Sequence, residues 1–162
     1  MREIKFRGKC IDMSNDMYGK WIFGHLVVRP IHDNSGDRYF ICEAGHKFIK
    51  CIGKMTSTYE VDPETVGQYT GLTDKNGKKI FEDDIIKTHY ANAPKADFIE
   101  QVVFHNGRFC AMFEHNKMGM LSSLVDGIKH IPQDESVYME FCEVIGNIHD
   151  NPELIAVQEG ER

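Results

Sequence analysis

A chain of 162 residues with 41% apolar and 27% charged side chains can bury a core without cross-links and is too apolar to stay disordered. A net charge of −6 argues against indiscriminate nucleic-acid binding, which needs clustered Lys and Arg on phosphates, yet it permits a local basic groove. No apolar run approaches bilayer length, the charged start (Arg2, Glu3, Lys5) lacks a signal-peptide core, and five cysteines without framework spacing fit a reducing compartment. The expectation is one cytoplasmic domain over residues 1–155, with no membrane segment and a frayed tail over 156–162.

Residues 1–28 read as two strands. Ile4, Phe6 and Gly8 alternate with Lys5 and Arg7, the period of a half-buried strand. A polar turn then leads through Gly19-Lys20 into the apolar run 21–28. Gly24 inside that run marks a bulge or a close backbone approach. Gly19-Lys20-x-Ile22-Phe23 echoes Gly77-Lys78-x-Ile80-Phe81, which either records a duplicated hairpin or reflects two similar turns entering apolar strands.

Pro30 ends the second strand, and residues 32–37 are turn formers. Residues 38–42 and 47–52 read as paired strands about a turn at 43–46. Here lies the one metal-like spacing, Cys42, His46 and Cys51. Zinc wants four ligands at tetrahedral angles, whereas three are local and both cysteines sit in apolar strands. Small buried hydrophobes are the preferred reading of the two thiols.

The stretch 59–86 carries the densest local instructions. Asp62 suits the cap and Pro63 the first position of a single helical turn over 62–66, which Gly67 ends in a left-handed conformation. Residues 68–72 are extended. Asp74-Lys75-Asn76-Gly77 is a reverse turn, because Asn and Gly tolerate positive φ. Ile80, Phe81, Ile85 and Ile86 flank Glu82-Asp83-Asp84, a kink or bulge. Three adjacent carboxylates on extended chain point to alternating faces, so exposed acids in a turn are preferred over a metal site.

Residues 88–97 read as a long polar connection. His105-Asn106-Gly107 then announces a hairpin between strands 98–104 and 108–113. Leu121, Leu124, Val125 and Ile128 have helical spacing. Residues 132–136 are loop, 137–148 one or two strands interrupted by Glu140 and Glu143, and Asn151-Pro152 caps a last turn.

The segments 59–72, 74–82 and 84–86 resemble the signature of the YopX family, small proteins encoded by phages and prophages. The opening 1–9, the run 19–26 and the closing 143–148 with 151–154 resemble other family segments, so the likeness spans nearly the whole chain. Asp62, Pro63, Gly67, Tyr69, Gly71, Asn76, Gly77, Asp84, Gly146, Asn147 and Pro152 form its structural signature in this sequence. Asp83 departs from it, standing where the family pattern has glycine, and Asp accepts unusual backbone angles better than most residues. The resemblance implies a phage or prophage accessory protein and brings no biochemical activity with it.

No GxSxG elbow, HExxH pair, Walker loop or GxGxxG appears, so no catalytic or cofactor-binding residue is assigned and no cofactor is expected. The histidines, among them His25, His89, His105 and His115, lack a partner set by sequence spacing, and Cys110 lacks a nucleophile context. The fold expected is all-β, a partly open small barrel or packed antiparallel hairpins with one or two short helical turns. Function is read as a non-catalytic binding or self-assembling module, with a second copy or a phage or host protein as partner. The alternative is nucleic-acid binding through an aromatic and basic face. Trp21, Phe23, Tyr39, Phe40, Tyr69, Phe81 and Phe104 supply its rings and Lys47, Lys50 and Lys54 its best local basic strip, although alternation assigns most of these rings to the interior.

Overall fold

The computed structural model describes residues 3–30, 36–43, 58–90, 97–113, 119–123 and 139–156. Almost every described element is a strand, and the strands form two antiparallel sheets. Antiparallel hairpins are thus what forms, and among the described residues neither sheet closes into a barrel. The chain divides into two compact units, residues 1–69 and 70–162.

The first unit contains β1 (Phe6–Lys9), β2 (Trp21–Arg29), β3 (Arg38–Glu43), β4 (Thr58–Val61), a 3-10 turn (Pro63–Thr65) and the start of β5 (Gly67–Thr73). Within this unit the sheet order is β4-β3-β2-β1-β5. Even-numbered β2 residues Ile22 and Leu26 join Cys10, Ile41, Val61, Phe6, Tyr39 and Tyr59 in an apolar core. Each fully buried Ile or Val there contributes about 1.5–3 kcal/mol of burial free energy. Gly24 faces the same way for a steric reason: a Cβ there would stand 1.8 Å from the Cys42 carbonyl oxygen of β3. The glycine therefore marks a close backbone approach.

The capped turn forms as expected, with the Asp62 carboxylate accepting from the Glu64 amide at 3.0 Å and Pro63 at the first helical position. Its ending differs. Val66 closes the turn in an extended conformation, and Gly67 starts β5 opposite Arg7 with no positive φ. Sheet pairing, not a left-handed cap, terminates the helix. At the N-terminus Phe6 and Gly8 face the core, but Ile4 is exposed and Arg7, although outward, is covered by its neighbours.

The second unit contains the rest of β5, β6 (Lys79–Phe81), β7 (Asp84–Tyr90), β8 (Asp97–His105), β9 (Arg108–Phe113), β10 (Gly119–Ser123), β11 (Met139–Asn147) and α1 (Glu153–Ala156). A five-stranded sheet runs β10-β9-β8-β7-β11. Ile80, Ile86, Val102, Ala111, Cys142 and Val144 form its core, with Leu72 against them. The Asn106-Gly107 turn has positive φ at both residues (48° and 80°), the two-residue hairpin geometry read from the sequence. Gly77 likewise sits at φ 80°, with its amide on the Asp74 carbonyl.

The structure corrects two readings and decides a third between its alternatives. Strand runs through Thr88 to Tyr90 and resumes at Asp97, because Thr88 is fully buried and donates to the buried Glu100 carboxylate; the polar connection is shorter than its composition suggests. Residues 121–123 are strand, paired with β9, and not the start of a helix: four apolar residues at helical spacing do not outweigh cross-strand pairing. Residues 139–147 form one continuous strand, with register shifts between Met139 and Phe141 and between Val144 and Gly146. Residues 124–128, 132–136 and 157–162 lie outside the described residues.

Candidate binding face

Side chains alternate across a strand, so filling one face with the core commits the other to whatever remains. In the first unit what remains is unusual. The outward positions are Lys5, Arg7 and Lys9 on or before β1, Trp21, Phe23, His25, Val27 and Arg29 on β2, and Arg38, Phe40 and Cys42 on β3. Phe23 is 46% exposed and Val27 36%, both on one row of β2.

The cations of this face lie on rings. Arg7 sits 4.8 Å and Lys9 5.9 Å from the Trp21 ring centroid. Arg29 and Arg38 sit 5.2 and 5.6 Å from that of Phe40. Such contacts hold a cation by the ring quadrupole. Glu60 also forms a two-pronged pair with Arg38, and Glu3 lies 3.0 Å from Lys5. Across the whole unit, residues 1–69 carry ten basic and nine acidic side chains, whereas residues 70–162 carry nine and sixteen.

Of the rings named from the sequence, Tyr69 and Phe81 are buried, Tyr39 packs on the first core, and Phe104 is exposed in the second unit. Trp21, Phe23 and Phe40 are the ones the sheet gathers. Sequence reasoning missed Arg7, Lys9, Arg29 and Arg38. A usable signal was present in cations at alternate positions 5, 7 and 9 and rings at 21 and 23. The strip of Lys47, Lys50 and Lys54 lies outside the described residues, as do His46, Cys51 and His115. Cys42 has its Sγ 3.4 Å from Thr58 Oγ1. Among the described residues, no three His, Cys, Asp or Glu side chains gather as a metal site.

The second unit arranges its polar groups differently. Lys87 pairs with Asp97 at 2.7 Å, and Lys75 with Glu143 at 2.6 Å. His89 stacks on Phe141 at 4.9 Å with its Nδ1 3.4 Å from Asp97. The Lys87 hydrogen bond holds the Asp97 carboxyl below the ordinary carboxylate range, with His89 adding to it. Inside, Asp74 is buried and accepts from the amides of Asn76, Lys78 and Val144 at 2.8, 2.9 and 3.0 Å. Burial pushes its pKa up, but those three amides and the Lys78 charge together hold it below 3.8.

At the corner between β6 and β7, Asp83 adopts φ 66°, the left-handed geometry that glycine takes without steric cost. Its carboxylate meets Gln101 Nε2 at 3.0 Å and His149 Nε2 at 3.3 Å, and its backbone bonds Val102 and Ile148. A histidine–carboxylate pair has the elements of acid–base chemistry, yet both carboxylate oxygens here staple the corner. The sequence placed no partner beside His149. His25 and His105 are exposed on strands, and Cys110 is fully buried.

The signature positions are built into turns and close approaches. Asp62 and Pro63 start the 3-10 turn, Tyr69 donates its amide to Lys5, and Gly71 takes φ 92° within β5. Asn76 and Gly77 shape the turn over Asp74, and the buried Asp84 carboxylate accepts from the Phe81 amide at 2.7 Å. A Cβ on Gly146 would meet Asn151 Oδ1 at 2.6 Å. Asn147 Oδ1 accepts from the His149 and Asp150 amides, and the Pro152 carbonyl from that of Ile155.

A sequence model described as YopX protein matches residues 30–156. No curated protein matches the chain. Among solved structures, the crystal structure of protein EF1440 from Enterococcus faecalis is similar, at 24% identity over 96% of this chain and 99% of that one, with a TM-score of 0.44. No helix among the described residues is long and apolar enough to cross a membrane.

Proposed function

The chain belongs to the YopX protein family, and from that premise we propose that it is a non-catalytic binding module, a cytoplasmic accessory protein of phage or prophage type, acting through the outward face of its first sheet. The observation that carries this reading is the exposed Phe23 and Val27 on the row of β2 that also holds Trp21, with Arg29 on the neighbouring Phe40 ring. A face that exposes apolar side chains in a row serves solubility poorly, so a partner is its physical rationale. The signature residues support the same reading, since their side chains build turns rather than a reactive centre.

A second reading, self-assembly, is favoured by the exposed Phe23, Val27 and Val28, which can be covered by another copy. The test compares the native chain with Phe23→Ser and Arg29→Gln variants. Sedimentation over a concentration series reports self-association, and titration with single-stranded oligonucleotide, duplex and heparin reports anion binding. At least one association is expected to weaken in the variants. If every association is unchanged, the face is not a binding surface.

A further inference from the structure

Cys42 was read from the sequence as a small buried hydrophobe, and its surroundings are of another kind. Cys10, Cys110 and Cys142 are buried, whereas Cys42 is half-buried on the outward face of β3. Directly opposite it on β2 stands His25, exposed on the same face, and opposite it on the other side stands Thr58 of β4. We propose that His25 and Cys42 are two ligands of a thiophilic divalent cation of the zinc class. The site goes beyond the binding-face reading and does not depend on it, because a metal is held there whether or not a partner docks.

Thiolate and imidazole are the donors that zinc takes in preference to oxygen. The register puts them within reach of one ion. Directly opposed residues of an antiparallel pair have Cβ atoms roughly 4.5–5.5 Å apart. Two donors on one tetrahedral zinc, at about 2.05 Å for nitrogen and about 2.3 Å for sulfur, stand about 3.6 Å from each other. Choice among the staggered rotamers of the two side chains closes that difference. Gly24, next to His25, tightens the approach: a Cβ there would stand 1.8 Å from the Cys42 carbonyl oxygen, so β2 and β3 meet here more closely than a residue with a side chain allows.

Thr58 supplies an outer partner. Its Oγ1 lies 3.4 Å from Cys42 Sγ, where the hydroxyl can donate to a thiolate and orient the sulfur, as the groups behind metal ligands do. A thiol kept for packing has no use for an imidazole on one side and a hydroxyl on the other. Cys10 and Cys142, set among Ile and Val, show what packing alone asks for. Two donors are what the described residues contribute to this site, and the metal's own spectrum counts the rest.

The full chain, reduced and stripped with a chelator, is titrated with Co2+ and then with Zn2+. A thiolate-to-cobalt charge-transfer band in the near ultraviolet, displaced by Zn2+, is expected. Cys42→Ser should abolish the band, His25→Ala should weaken Co2+ binding at least tenfold, and Thr58→Val should weaken it about tenfold, each with circular dichroism unchanged. X-ray absorption of the native chain at the zinc edge needs no variant to fold, and should show sulfur at about 2.3 Å and nitrogen at about 2.0–2.1 Å. One metal per chain and one per two chains both support the site when both side chains are required. A native chain without the band, a band that survives Cys42→Ser, or a zinc edge showing oxygen alone would overturn it. Full affinity in His25→Ala would overturn the pair. Phe23→Ser, which tests the binding face, should leave the cobalt band unchanged, so the two readings fail separately.

Discussion

The two units place their charges differently. In the first, the interior core is apolar and Arg29 rests on the Phe40 ring, while Arg38 meets both that ring and Glu60. In the second, carboxylates are buried among backbone donors and a hydroxyl, and the outward cations Lys75 and Lys87 meet carboxylates. A cation on a ring keeps its external field; a cation on a carboxylate largely cancels it. The lesson is that binding potential follows what each charge sits on, more than how many charges there are.

The comparison can be broken most severely at Gly24. Ala there would drive a Cβ into the Cys42 carbonyl, so β2 and β3 cannot keep their register. We expect a loss of about 3 kcal/mol or more, read as a lowered denaturation midpoint by Trp21 fluorescence. An unchanged midpoint would mean that the two strands do not approach as described.

The buried carboxylate of the second unit comes next. Asp74→Ala strands the buried Val144 amide and frees those of Asn76 and Lys78 to water, and should cost about 2 kcal/mol, measured as lost hydrogen-exchange protection at Val144. The pH dependence has a fixed sign. Asp74 titrates below 3.8 when folded, so its stabilisation is complete above that value and is lost as pH falls through the lower folded pKa. Exchange at Val144, corrected for intrinsic rates, should therefore accelerate in acid below pH 3.8, and Asp74→Asn should flatten that dependence. Acid-independent exchange in the native chain would contradict the assignment.

Cys142 sharpens the contrast at smaller amplitude. Burial first, then the charges of Asp74 and Glu100, push its thiol up to about 11. At pH 8 this leaves about a hundredfold less thiolate than an ordinary cysteine, so iodoacetamide should label it only after unfolding. Rapid labelling of the native chain, located by mass spectrometry, would show that the site is open. The smallest effect is expected at the surface pair: Lys87→Ala should leave the melting temperature within error, because exposed ion pairs add little.

Much of the fold was legible because turns are written by adjacent residues. Asn106-Gly107, the Asp74 to Gly77 reversal, the Asp62-Pro63 cap and the strained Asp83 each follow from local chemistry. The failures all depended on partners distant in sequence. Gly67 looked like a helix stop until Arg7 paired with it, residues 121–123 looked helical until β9 lay beside them, and Thr88 looked like loop until Glu100 accepted its hydroxyl. The binding face was half legible. Its rings were named, but alternation alone could not say which side of the sheet the core would claim, nor that Arg29 and Arg38 converge on Phe40 from neighbouring strands. The family signature did not help, since its residues shape the turns and corners instead.

The most direct test is sedimentation of the native chain and its Phe23→Ser variant over the same concentration series, alone and with single-stranded oligonucleotide or heparin added. An association of the native chain that Phe23→Ser weakens is the predicted result. Identical behaviour of the two chains in every condition would contradict the assignment of binding to the ring-bearing face.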